Sequence, residues 1–230
     1  MTIRMRHPAF ILVLSGVSVL LGCGGDPIDS GEPAPSSACD SIASPSRTIA
    51  CIEAFTPGEG AGFGMDKMPD ILYGEPKGGG LLKGGADVLS LGAGGEITVG
   101  FGSNLIVDGP GPDFIIFENV FYAGGDQEKP WKGLGEVSVS EDGEAFVTFP
   151  CASEAYPFEG CAGWRAVLAS PDSGVSSFDP EAAGGDPFDL ATIGVSTARF
   201  VRIKDLATAG QAPSAGFDLD AIAIVNPASP

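Results

Sequence analysis

The stretch Val107-Asp-Gly-Pro-Gly-Pro-Asp-Phe-Ile-Ile-Phe-Glu-Asn119 joins an apolar segment to acidic ends. The apolar run Phe114 to Phe117 has the length of a strand, and alternating glycine and proline precede it. Such a run between turn residues predicts a buried strand that the chain enters through a stiff turn. Asp113 and Glu118 enclose this strand, so the stretch is expected to supply core residues and oxygen ligands together.

Further segments of strand length follow the same pattern and are separated by glycine, proline or asparagine. They are residues 87–91, 96–101, 105–107, 136–139, 145–149, 164–168, 199–204 and 218–225. Residues 140–144 predict a hairpin turn whose Asp142-Gly143 supplies a positive φ, and 221–225 predicts a central strand that is covered on both faces. Residues 46–55 fit a strand or the start of a helix. Without any long helical period, the chain is predicted to be an all-β protein, an antiparallel β-sandwich of one domain.

The N-terminal segment has the pattern of an export signal. Arg4 and Arg6 precede the apolar residues 9–21, and Leu20-Leu21-Gly22-Cys23 resembles the lipobox of bacterial lipoproteins. We therefore expect a signal peptide over 1–22, a lipid on Cys23, a flexible tether over 23–45 and the domain over 46–230. The alternative is an ordinary signal peptide with a chance cysteine. Gly24 after the lipidated cysteine, by resemblance to sorting patterns, favours the outer membrane or cell surface.

Charge limits the partners that this protein can have. Residues 1–22 contain two arginines, the only histidine and no acid, which leaves 10 basic and 30 acidic residues and a net charge of −20. A field of this sign repels phosphate backbones, so no nucleic acid partner is expected, and contact with a membrane is expected through the lipid anchor only. Without a histidine in the mature chain, Ser-His and Cys-His catalysis and His-ligated zinc are excluded.

The remaining cysteines are even in number, which in an exported chain predicts disulfides. They are Cys39, Cys51, Cys151 and Cys161. Of the three possible connectivities, the local one pairs Cys39 with Cys51 and Cys151 with Cys161 and closes two short loops. A metal site is the alternative, although no Cys-x-x-Cys pair occurs. The glycine-rich residues 78–85 lack the spacing of a phosphate-binding loop and predict a surface loop.

Two sets of motifs carry a family resemblance. Residues 136–146 and 198–203 resemble the hairpin and a later strand of galactose-binding-like jelly rolls, of the discoidin and carbohydrate-binding-module type. Residues 87–92, 109–119, 186–190 and 216–221 resemble a family of bacterial cell-surface lipoproteins of uncharacterised function. The resemblance covers about residues 58–226. It implies a jelly roll that binds sugars, lipids, proteins or only calcium, because one fold serves many functions.

Acidic and amide side chains at the predicted strand ends are candidate ligands for a hard cation, which prefers oxygen. They are Asp108, Asp113, Glu118, Asn119, Asp186, Asp189, Asp218 and Asp220. Asp218 and Asp220 are spaced to share one face of an extended strand, where a Ca²⁺ ion would relieve their repulsion. The alternative is a structural network in which Arg199 or Arg202 pairs with these acids and others cap turns.

Aromatic residues in predicted loops are the candidate ligand-binding groups, because sugar-binding modules of the resembled fold carry stacking rings there. They are Phe121, Tyr122, Trp131 and Tyr156. The alternative is that such rings close the ends of the sandwich or pack on the loop between Cys151 and Cys161, and Trp164, which begins a predicted strand, is expected in the core. The sequence therefore predicts a lipid-anchored module, stabilised by calcium, that binds a glycan or surface polymer. A structural or adhesive protein that binds another envelope protein is the second hypothesis, and a glycosidase using Asp113, Glu118, Asp218 or Asp220 is the third.

Overall fold

The computed structural model describes residues 37–228 and contains short strands joined by long loops. The strands are β1 Cys51–Thr56, β2 Leu89–Ser90, β3 Glu96–Gly100, β4 Ile106–Val107, β5 Phe114–Glu118, β6 Gly135–Ser140, β7 Val147–Thr148, β8 Asp186–Phe188, β9 Thr197–Ala198, β10 Phe200–Asp205 and β11 Asp218–Ile224. The helical segments are short 3-10 turns, at Ala38–Ser41, Met65–Lys67, Asp70–Leu72, Ala123–Gly125 and Leu190–Ile193. Within residues 37–228, no helix has the length and hydropathy needed to cross a membrane. The predicted signal peptide and Cys23 lie outside the described residues.

Two antiparallel sheets pack against each other. One sheet has the order β1-β3-β10-β6-β7 and the other has the order β2-β11-β5-β8, while β4 pairs with β9. Apolar side chains from both sheets form one buried core, to which β3, β6, β10, β5 and β11 all contribute. The predicted all-β antiparallel sandwich is therefore confirmed. The jelly-roll connectivity implied by the resemblance stays a prediction.

Alternation of side chains explains which residues form the core. In the five-stranded sheet, inward-facing residues lie directly opposite one another in two rows, Val99 with Val201 and Val139, and Ile97 with Ile203 and Val137. The next residue in each strand, such as Arg202, faces the other side, as period 2 requires. β5 and β11 are apolar on both faces because loop residues such as Val175 and Phe178 cover the outer face of their sheet. The prediction of a central strand over residues 221–225 is confirmed.

The sandwich has two ends that matter for function. At one end, residues 46–51 pass from the last residues of β11 to Gly100 of β3, and Cys39 is bonded to Cys51 there. We call this the Cys39 end, and Asp113 at the start of β5 belongs to it. At the other end, the Asp205 carboxylate that closes β10 accepts a hydrogen bond of 2.7 Å from the Phe217 N–H before β11. We call this the Trp131 end, and the chain reaches it where β5 finishes at Glu118.

Both disulfides have the local connectivity. Cys39 is joined to Cys51, and Cys151 is joined to Cys161. The first fastens the Ala38–Ser41 turn to β1, and the second closes a loop whose rings pack on it. The predicted hairpin is also present, because β6 pairs with β7 and Gly143 has a φ of 80°.

Some predicted strands differ from the structure. The strand expected over residues 164–168 is wrong, since only Val167 forms an isolated bridge, to Gly184, and the Trp164 N–H donates to the Asp186 carboxylate. The open choice over 46–55 resolves as a strand that begins at Cys51. β8 and β9 were not predicted, because both are very short and β8 contains Pro187, which is tolerated in an edge strand such as this.

Candidate functional site

The predicted metal ligands separate into two groups at opposite ends of the four-stranded sheet. Asp113 precedes β5 and Glu118 ends it, so about 17 Å of extended backbone lies between them. β8 and β11 run antiparallel to β5, which places Asp189 near Asp113 and places Asp186 and Asp218 near Glu118. The eight residues therefore do not form a single site.

Three of the predicted ligands meet at the Cys39 end. Asp108, Asp113 and Asp189 each offer a carboxylate oxygen, and these oxygens lie within 4.8 Å of one another. No other group of three acidic, histidine or cysteine ligands is this close among residues 37–228. Within the same residues, no lysine or arginine pairs with any of the three carboxylates.

Backbone hydrogen bonds position this acidic cluster. Asp113 is buried, and its Oδ1 accepts from the Gly109 N–H at 2.9 Å and from Asn226 Nδ2 at 2.8 Å. Its Oδ2 accepts from the Leu190 N–H at 2.8 Å. Asp189 caps the 3-10 turn that follows β8, with its Oδ1 accepting from Ala191 N–H at 2.9 Å. The Asp113 side chain thus ties together the segments beside β5, β8 and β11.

The donor set at the Cys39 end fits a hard cation. A carboxylate has about four lone-pair positions, and Asp113 uses three of them in hydrogen bonds. Asp108 is exposed and Asp189 is half-buried, so both retain acceptor capacity toward solvent. Three adjacent negative charges repel one another unless a cation lies among them, and calcium takes carboxylate oxygens together with carbonyls and water.

The Trp131 end contains buried carboxylates with unfilled acceptor positions. Glu118 Oε1 accepts from the Asp218 N–H at 3.1 Å, but its Oε2 is buried without a hydrogen-bond partner among the described residues. Asp186 Oδ2 accepts from Gly163 N–H at 2.6 Å, and its Oδ1 is likewise without a partner there. Both side chains lie on the core side of the sheet, because Asp186 is opposite the inward-facing Ile116 and Glu118 is two residues further along β5.

Burial changes the ionisation of these carboxyls. Burial, followed by the nearby charge of Asp218, raises the pKa of Glu118 well above its usual range. Burial raises the pKa of Asp186 to about 7 against the opposing effect of its backbone hydrogen bonds. The pKa of Asp218 is raised by burial too, while the hydroxyl of Ser90 donates to its carboxylate and lowers it.

Asp218 and Asp220 do not act as one pair. The Asp218 carboxylate accepts from Ser90, whereas both oxygens of Asp220 accept from the Lys77 N–H at 3.0 Å. Burial raises the pKa of Asp220 to about 7. The strand is irregular between Leu219 and Ala221, so the regular alternation assumed for this stretch ends at Asp220.

The expected arginine partners bind elsewhere. Arg199 pairs with Asp40 at 2.9 Å, and Arg202 lies 3.5 Å from Glu96. The alternative in which these arginines neutralise Asp218 or Asp220 is therefore wrong. Its physical reason is that Arg202 belongs to β10 in the five-stranded sheet, with Arg199 just before it, whereas the two acids belong to the other sheet. The other part of that alternative, in which some of the acids cap turns, is confirmed for Asp189, which caps the 3-10 turn after β8.

The predicted ligand-binding aromatics gather at the Trp131 end. Phe121 and Trp131 are bridge partners, and their rings are stacked with centroids 6.0 Å apart. Tyr122 follows Phe121, and its hydroxyl accepts from the Ala166 N–H at 3.4 Å. Tyr156 belongs to a second cluster, where it makes edge contacts with Phe158 and with the buried Trp164.

Sequence reasoning missed the apolar side chains beside Trp131. The Tyr122 N–H donates to the Leu81 carbonyl at 2.7 Å, and the Gly85 N–H donates to Asn119 Oδ1 at 2.6 Å. These bonds fasten the glycine-rich loop against the Trp131 loop. Leu81 is 46% exposed, and Leu82 and Trp131 are both 67% exposed. We call Leu81, Leu82 and Trp131 the apolar tip; the exposed Leu-Leu pair within a run of glycines was its signal in the sequence.

Comparisons with known proteins add no family to this description. No family model matches the chain, and no curated protein matches it. The functional conclusion therefore rests on the geometry of the two ends.

Proposed function

We propose that this protein is an exported, lipid-anchored jelly-roll module that binds a glycan at its Trp131 end. The single observation that carries the proposal is the exposed indole of Trp131, which Phe121 supports from behind by stacking. A rigid aromatic face held open to solvent offers a large contact area at low entropic cost. The resemblance to carbohydrate-binding jelly rolls supports the same ligand class.

The arrangement of the two ends supports display at a surface. Cys39, near the start of the described residues, lies at one end of the sandwich, and Trp131 lies at the other. A lipid on Cys23 would hold the Cys39 end through residues 24–36, which in extended form reach about 45 Å. The Trp131 indole would then lie at the end of the domain remote from the point where the tether joins it.

The glycan proposal is tested by binding of the purified full-length protein to a glycan array, followed by titration of the best glycan. We expect Trp131→Ala to weaken binding at least tenfold, because loss of one stacking ring removes more than about 1.4 kcal/mol. Val147→Ala, which removes an exposed apolar side chain from the edge strand β7, is the control and should bind normally. Unchanged affinity of the Trp131→Ala protein would contradict the proposal.

A protein ligand is the second candidate, favoured by the exposure of Leu82 in the loop that is hydrogen-bonded to the Trp131 loop. Leucine adds apolar area to a protein interface but offers no flat ring for a sugar. Leu82→Ala should therefore leave glycan affinity unchanged. Leu82→Ala and Trp131→Ala should each weaken the capture of an envelope protein from intact cells. Capture that needs both side chains, with no affinity for any glycan, would establish the adhesive function instead.

We also propose that the acidic cluster of Asp108, Asp113 and Asp189 binds calcium. Calcium in excess should raise the unfolding midpoint relative to chelator, because binding at a hundredfold excess over the dissociation constant adds about 2.7 kcal/mol to the free energy of unfolding. The increase should be lost in Asp108→Ala, which removes an exposed ligand without touching the hydrogen bonds of Asp113. Asp218→Asn, at the other end, is the control and should keep the response. Equal midpoints in calcium and chelator would contradict this site.

The geometry gives the glycosidase hypothesis little support. Asp113 and Glu118 stand at opposite ends of β5, whereas a catalytic carboxylate pair is about 5 to 9.5 Å apart. Glu118 is 3% exposed and lies on the core side of the sheet. A substrate would have to displace core residues to reach it.

A further inference from the structure

A third candidate site lies away from both ends, on the outer side of the four-stranded sheet. A cleft of about 740 Å³ opens between the loop that follows the Asp70–Leu72 turn and the loop over residues 170–178. Its walls carry Arg47, Tyr73, Glu75, Lys77, Ser176 and Phe178. The volume lies within the range of small-molecule sites, about 300 to 1,000 Å³.

Arg47 is held rigidly in this cleft. Its Nε and Nη2 donate to the Ile224 carbonyl at 3.0 and 2.8 Å, and Nη2 also donates to the Val225 carbonyl at 3.1 Å. The guanidinium carbon lies 4.0 Å from the centroid of the Phe178 ring. A side chain fixed in this way loses little conformational entropy when it binds a ligand.

The guanidinium retains unused binding capacity. Among residues 37–228, no carboxylate lies within ion-pair distance of Arg47, and its Nη1 has no hydrogen-bond acceptor. Carbonyl oxygens and an aromatic face orient the group but leave its positive charge unpaired. An anionic oxygen of a ligand would pair with this charge and accept a charge-assisted hydrogen bond from the guanidinium.

The other charges around the cleft offset one another and leave Arg47 as its unpaired cation. Lys77 pairs with Asp87, and the Glu75 carboxylate accepts from the hydroxyl of Ser177 at 2.7 Å. Asp87 neutralises Lys77 and Glu75 carries a negative charge, so Arg47 is the cation available to an anionic ligand in a chain whose formal net charge is −18. That overall charge repels a polyanion, whereas a small monoanion close to Arg47 experiences mainly the local field.

The uncharged residues that line the cleft indicate what the uncharged part of the ligand is. The half-exposed Tyr73 offers a ring face and a hydroxyl, and Thr48, Ser170 and Ser176 offer further hydroxyls. Hydroxyl groups donate and accept, so they suit a ligand that is itself polyhydroxylated. We propose that this cleft binds a sugar acid, with the carboxylate on Arg47 and the sugar ring against Tyr73. The site is distinct from the glycan site proposed at Trp131.

Isothermal titration of the purified full-length protein with D-glucuronate tests the proposal. D-glucose lacks the carboxylate and acetate lacks the hydroxyls, so both should bind at least about tenfold more weakly than glucuronate. Arg47→Lys keeps the charge but loses the planar donor group, and a loss of about tenfold or more in affinity is expected. Tyr73→Ala leaves the hydrogen bonds from Arg47 to Ile224 and Val225 intact, and it should also weaken the binding of glucuronate.

Two control variants separate this site from other effects. Arg199→Lys changes another arginine that lies over a phenylalanine ring, Phe200, and should bind glucuronate normally. Trp131→Ala should also bind glucuronate normally. A result that contradicts the cleft can therefore be distinguished from one that contradicts the glycan site at Trp131. Equal binding of glucuronate and glucose, absence of glucuronate binding by the folded protein, or unchanged affinity in Tyr73→Ala and Arg47→Lys would overturn the proposal.

Discussion

At the scale of single residues, burial of carboxyl groups without cationic partners is the dominant feature. The pKa values of Glu118, Asp186, Asp205, Asp218 and Asp220 are all raised, and burial is the largest cause in each case. A carboxyl with a raised pKa in the folded state binds its proton more tightly there than in the unfolded chain. Its contribution to stability is therefore present in acid and is lost as the pH rises through the folded pKa.

This ionisation predicts that the protein is more stable in mild acid than at neutral pH. For Asp186 the loss should occur between about pH 4, the unfolded pKa, and about pH 7, the folded pKa. Its size should be on the order of a few kcal/mol in the free energy of unfolding. Urea denaturation at pH 5 and pH 8, in chelator, measures the difference.

Asp186→Asn is the variant that tests the origin of the pH effect. An amide keeps an acceptor for the Gly163 and Trp164 N–H groups but does not ionise, so the pH dependence should become smaller. Asp66→Asn, at an exposed position, should retain the full dependence of the parent protein. A parent protein whose stability increases from pH 5 to pH 8 would contradict the prediction.

At the scale of elements, β11 holds the four-stranded sheet together. It lies between β2 and β5, and its side chains enter the core on one face and the loop-covered cluster on the other. Ile222 is fully buried opposite Ile116. Its surroundings belong to several strands, so they cannot collapse easily around a smaller side chain.

Ile222→Ala is therefore expected to lower the free energy of unfolding by about 2 to 5 kcal/mol. Val147→Ala is the matched control, because Val147 lies in the edge strand β7 and is 42% exposed, and a change within about 0.5 kcal/mol is expected there. Chemical denaturation of both variants provides the measurement. Similar losses at the two positions would show that β11 is not the central strand of the sandwich.

At the scale of the whole molecule, the two ends of the sandwich have different chemistry. The Cys39 end carries the acidic cluster, and the Trp131 end carries the apolar tip. Since about the length of β5 separates them, a calcium ion bound at the first end would have no direct contact with a ligand bound at the second. Calcium is thus expected to stabilise the fold without changing glycan affinity.

Attachment to a membrane is predicted to depend on a single side chain. Cys23→Ala removes the thiol that the lipobox resemblance marks for lipidation, so incorporation of a labelled fatty acid should be lost and the protein should leave the membrane fraction. Cys39→Ala with Cys51→Ala is the control; it removes a disulfide and about 3 kcal/mol of stability while leaving lipidation intact. Membrane attachment of the Cys23→Ala protein would contradict the anchor.

The sequence by itself determined the strand pattern, because alternation and turn residues act over a few neighbouring positions. The buried run Phe114 to Phe117 and the hairpin over 136–149 could therefore be predicted, and the local cysteine spacing left the observed pairing among the possible ones. Only the tertiary structure decided which loop residues meet. Asp108 and Asp189 are far apart in the chain and become neighbours because β8 pairs antiparallel with β5, whereas the extended backbone of β5 itself separates Asp113 from Glu118. Arg47 likewise takes its place in a cleft through hydrogen bonds to the carbonyls of Ile224, the last residue of β11, and of Val225 after it. Such contacts depend on strand order and register, which local periodicity does not encode.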